Sequence, residues 1–65
     1  KTTVFFELER PAKKSGGDRY TEVKATAEDG SATADQAFGQ IYVNQRYSRA
    51  AGKPRKSICV QLITE

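Results

Sequence analysis

The sequence predicts an all-β fold: a single small antiparallel sheet of about four strands in two hairpins, strongly curled or barrel-like. Three observations carry this expectation. Apolar residues recur at every second position and not at the 3.6-residue spacing of a helix. Clusters rich in Gly, Pro, Ser and Asp punctuate the chain at roughly eight- to twelve-residue intervals. No repeat, low-complexity tract or long amphipathic run competes with that reading.

The first strand is expected over Thr3–Arg10, with Val4, Phe6 and Leu8 on one face, Glu7 and Glu9 on the other, and Phe5 out of pattern. Pro11 ends it, because proline lacks the backbone donor a ladder needs. Ser15-Gly16-Gly17-Asp18 supplies the turn of a first hairpin, whose second arm is Arg19–Thr26. Ala27–Gln36 holds little that packs and reads as a turn and exposed loop, with one helical turn expected at Thr33–Ala37. Phe38–Tyr47 is the most β-like run, with Ile41 and Val43 facing opposite to Tyr42 and Asn44. Gly52 and Pro54 break the basic segment after it, and Ser57–Thr64 alternates again with Ile58, Val60 and Leu62 inward. These last two strands are expected to form a second hairpin around a basic loop at 46–56.

Residues 1–65 are expected to form one domain, at a size that buries roughly 60% of the unfolded chain's surface. With 37% hydrophobic residues and neither Trp nor Met, its core is small and its stability modest. The longest apolar stretches, Val4–Phe6 and Ile58–Val60, are far short of a membrane span, so no membrane partner is expected. One cysteine, Cys59, forms no internal disulfide and, without any histidine, builds no usual zinc site. A reducing, cytoplasmic location is the corresponding expectation.

Chemistry is sparse. The chain has no Gly-x-Ser-x-Gly, Walker or dinucleotide fingerprint, and no histidine to serve as a base, so no enzyme, cofactor or small-molecule substrate is expected. Glu7 and Glu9 share a strand face at i and i+2, as a carboxylate pair would, but the pattern reads as a solvated outer face. Cys59 lies near Arg55 and Lys56, where a thiolate would be favoured, and also fits as a small semi-buried hydrophobe.

The charge pattern is more informative. The net charge is +3, yet Gln36–Thr64 carries Arg46, Arg49, Lys53, Arg55 and Lys56 with no acid, while Asp18–Asp35 is acid-rich. The 44–57 segment combines those cations with Tyr47 and several hydroxyl and amide groups, the set that contacts phosphates. Ile41-Tyr42-Val43-Asn44 resembles the short aromatic strand motif of RNA-recognition-motif domains, with Phe38-Gly39 just before it, although the two helices of that fold are missing. Length and all-β character are similar to cold-shock domains, without their Gly-Phe-Gly-Phe run. Neither resemblance transfers residues.

The expectation is therefore a small basic nucleic-acid-binding module of little sequence specificity. Arg46, Arg49, Lys53, Arg55 and Lys56 would neutralise phosphates of DNA or RNA, and Tyr42 and Tyr47, joined by Tyr20, would stack on bases. The alternative is a protein–protein or self-assembling β module that uses an edge strand or the Cys59/Ile63 face, the acidic stretch meeting the basic loop of a second copy.

Overall fold

The computed structural model describes residues 1–33 and 35–64. It is all-β: four antiparallel strands in one strongly curled sheet, with almost no helix. The elements are β1 (Thr2–Arg10), β2 (Gly17–Ala27), β3 (Gln40–Asn44), α1 (Gln45–Ser48) and β4 (Ser57–Leu62), and the strand order is β3-β2-β1-β4.

The β1–β2 hairpin forms as its turn residues dictate, with Gly16 at a φ of 102° in the tight connection. Its register slips twice, once between Leu8 and Arg10 and once at Val23: there Phe5 pairs with Lys24 and Phe6 with Glu22, leaving Val23 as an extra residue. The slip at Val23 changes which side chains face inward. Strict alternation from Tyr20 and Glu22 would bury Lys24, whereas after the bulge Ala25 is buried instead and Lys24 is exposed.

Val4, Phe6, Tyr20 and Ala25 form the buried core, with Leu8, Ile41, Val43, Ile58 and Val60 packed around it. Phe38, expected at the start of a strand, sits in a bend and packs its ring 5.9 Å from that of Phe6. Tyr20 is fully buried and donates its hydroxyl to the Arg55 carbonyl at 2.7 Å, so it belongs to the core and not to a stacking surface. Leu62, expected inward, is 39% exposed.

The second hairpin does not form. β3 pairs with β2 while β4 crosses to the far edge and pairs with β1. The gain is apolar contact: on β1, Ile58 lies opposite Phe6 and Val60 opposite Val4, the two fully buried apolar groups of that strand, whereas β3 offers only five residues. Residues 45–56 are accordingly a crossing between edges and not a hairpin loop. β3 itself stops at Asn44, whose Oδ1 accepts from the Arg46 backbone N–H at 2.8 Å and starts the single turn α1. The helical turn expected at Thr33–Ala37 is absent from the described residues of that span, and Ala34 lies outside them.

Polar anchors fix the crossing. Asp18, fully buried on β2, accepts from Ser48 Oγ at 2.5 Å, from Arg49 Nε at 3.1 Å and Nη2 at 2.8 Å, and from the Ala12 N–H at 2.7 Å. Arg49 also donates to the Ala12 carbonyl at 2.9 Å. The Arg49 hydrogen bonds above all, against the opposing pull of burial and with help from Ser48 and Ala12, hold the Asp18 carboxyl well below the ordinary carboxylate range. Glu22, also buried, accepts from the N–H groups of Ala37, Phe38 and Gly39 at 2.9, 2.7 and 3.0 Å, which pins the end of the β2–β3 connection. Burial raises its pKa, but those three donors prevail and leave it lowered.

Asp18→Asn is expected to destabilise the fold by about 3 kcal/mol, because Arg49 then keeps its charge without a carboxylate partner. Urea titration checks this. The folded Asp18 carboxyl binds a proton less readily than the unfolded one, so its contribution is present above about pH 4 and is lost as pH falls below that. Acid titration of stability should therefore be steep below about pH 4 in the native chain and flatter in the variant.

Candidate nucleic-acid interface

The molecule is elongated, 38 × 19 × 18 Å. β1 ends, β2 begins, β3 ends and the crossing starts at one end of the sheet, since Arg10 pairs with Arg19 and Gly17 with Asn44. That topology gathers cations from two distant stretches of sequence: Arg10, Lys13 and Lys14 around the β1–β2 turn, and Arg46, Lys53, Arg55 and Lys56 along the crossing. All of these are exposed, and none has an ion-pair partner among the described residues.

Two acids at this end, Glu9 and Asp18, are neutralised internally, while Glu7 stays exposed beside Lys56. Glu9 accepts from Arg19 Nη2 at 2.8 Å, Thr21 Oγ1 at 2.5 Å and Gln40 Nε2 at 2.9 Å, which lowers its pKa, the Thr21 bond first and the Arg19 charge after opposing desolvation. Glu9 is thus part of a cross-strand network and does not stand as a free partner for Glu7. Asp18 is held by Arg49. At the opposite end, Glu28 and Asp29 are exposed in the β2–β3 connection, with the Lys1 amino group 3.4 Å from Glu28. The acid-rich stretch read from the sequence is therefore divided: Asp18 and Glu22 turn inward, and Glu28 and Asp29 lie exposed at the far end.

Arg49 departs from its expected place among the phosphate-neutralising groups. Its side chain is only 27% exposed and its guanidinium is committed to Asp18 and the Ala12 carbonyl. Arg46, Lys53, Arg55 and Lys56 remain available. Arg10, Lys13 and Lys14 were not legible as site residues, because their proximity to the crossing depends on a contact 31 residues apart in sequence, between Gln45 Nε2 and the Lys14 carbonyl at 3.1 Å.

Tyr42 and Tyr47 are 69% and 70% exposed. Tyr42 projects from the outer face of β3 directly across from Arg19, whose Nη1 donates to its hydroxyl at 3.5 Å. A cleft of about 240 Å³ lies beside it, bounded by Arg10, Pro11, Lys13, Gly17 and Arg19. Gly17 permits this approach: a Cβ there would stand 3.0 Å from Tyr42 Cβ and 3.2 Å from the Val43 nitrogen. Cys59 is exposed on β4, away from this cleft. Among the described residues, no three His, Cys, Asp or Glu side chains are grouped to hold a metal, and no helix is long and apolar enough to cross a membrane.

No protein-family model, curated protein sequence or solved structure matches this chain.

Gly17→Val is expected to push Tyr42 away and strain the β2–β3 pairing, costing about 1–3 kcal/mol in a denaturant titration. Unchanged stability would mean that the contact is not tight in solution.

Proposed function

We propose that the basic end of the sheet binds nucleic acid through its phosphate backbone, with Tyr42 and Tyr47 stacking on unpaired bases. The observation that carries this reading is the convergence of cations from both the β1–β2 turn and the crossing around two exposed tyrosines, where both neighbouring carboxylates are already neutralised. Such a surface attracts a polyanion electrostatically, while each ring offers a sequence-tolerant stacking platform. Phosphate contacts orient a chain without reading its bases, and no element here is shaped to enter a groove, so binding is weakly sequence-dependent.

The test is fluorescence anisotropy of labelled oligonucleotides across a salt series. Binding should weaken with salt, with a log–log slope no steeper than about −6 on duplex DNA even if every exposed cation of this end met a phosphate. Lys13→Glu with Lys14→Glu should weaken binding as much as Arg46→Glu with Arg55→Glu. Tyr42→Ala should cost about 1–3 kcal/mol on single strands and much less on duplex. Absence of binding at low salt, or full binding by the Lys13/Lys14 variant, would overturn the reading.

A further inference from the structure

The two edges of the sheet are unlike. β3 is only five residues long and gives way at once to α1. β4 is an edge without protection: from Ser57 to Thr64 the chain has no charge and no proline, β4 pairs with β1 without a register shift, and Leu62 and Ile63 are exposed at its end. Sheet edges of monomers are ordinarily guarded by lysine, proline, bulges or shortness, and a long uncharged edge is a template for another strand.

Its backbone is set for one. Leu8 donates to the Lys56 carbonyl at 2.8 Å, in the same register that opposes Phe6 to Ile58 and Val4 to Val60. Residues 58, 60 and 62 therefore bond towards β1, and the N–H and C=O groups of Ser57, Cys59, Gln61 and Ile63 point out from the free edge.

We propose that the occupant of this edge is a second copy of the same chain, joined by antiparallel β4–β4 pairing about a two-fold axis at Val60. This register uses every outward-pointing group from Ser57 to Ile63, and on the inner face it sets Leu62 diagonally beside Val60 and opposite Ile58 of the second copy, covering a side chain the monomer leaves exposed. Charge favours the same orientation. The cations lie at one end of the long axis and Glu28 and Asp29 at the other, so antiparallel pairing sets the basic end of each copy alongside the acidic end of its mate, whereas parallel pairing would align like charges. On the outer face the two Cys59 thiols become diagonal neighbours, within reach of a short bis-maleimide.

Light scattering over a concentration series should show the mass rising from 7.2 kDa towards twice that value, with added salt opposing the rise. The bis-maleimide should cross-link the chain through Cys59 in that range. Gln61→Pro removes a donor from the free edge without touching the β1 ladder and should leave a folded monomer by circular dichroism. Gln61→Lys, which keeps the backbone donor and adds repelling charges near the axis, should do the same if the proline variant fails to fold. A mass of 7.2 kDa at every concentration, or a dimer that persists in the folded Gln61 variant, would overturn the proposal. None of these readouts involves nucleic acid, so the result is independent of what the basic end binds.

Discussion

A carboxylate without access to water must be matched group by group, and Asp18 is matched from three directions: the helical turn through Ser48, the crossing through Arg49 and the β1–β2 turn through Ala12. This single site joins segments that the sheet's own ladders leave separate. β3 and β4 share no hydrogen bonds, and the chain between them has to pass from one edge to the other. Tyr20, next but one on β2, completes the attachment by holding the Arg55 carbonyl. A core of four buried apolar residues cannot specify that path, because apolar contact is non-directional. The directional groups around Asp18 can.

The same site shapes the electrostatics. With Asp18 committed to Arg49 and Glu9 to Arg19, exposed Glu7 beside Lys56 is the acid left without an ion pair at the basic end among the described residues, and the remaining cations outnumber it. An arginine lost to the fold thus makes its neighbours more effective as a group, because an unpaired Asp18 would have subtracted from the field at the same place. Charge segregation along a 38 Å axis is a consequence of which carboxylates fold inward, and net charge alone does not convey it.

The strands were legible in the sequence because alternation is local: Val4 and Phe6, Ile41 and Val43, Ile58 and Val60 all lie on the face that period two assigns. The same argument turns Tyr42 outward, where it is 69% exposed. What alternation cannot encode is which edge a strand joins, since β4 presents the same inward residues whether it lies beside β3 or β1. Everything that depends on that choice was hidden with it: the crossing in place of a loop, the burial of Tyr20 under Arg55, and the nearness of Lys13 and Lys14 to Arg46. In the sequence Arg49 looks no different from Arg46 because its partner is 31 residues away, and a strict period of two does not reveal the Val23 bulge that keeps Lys24 out of the core.

The outer face of the sheet shows how selectively exposed apolar surface is managed here. Phe5 points outward, yet Lys24 Nζ lies 4.9 Å above its ring, placing a charge over the one aromatic on the outer face of β1. The bulge that leaves Lys24 outside also supplies this cover, so one irregularity settles both what is buried and what is masked. No charge does the same for β4. A chain that shields Phe5 with a lysine but leaves eight consecutive uncharged residues along an open edge has spent its cations at the other end of β1, at the turn and the crossing. The bareness of the edge and the density of the basic end are two sides of one distribution of charge.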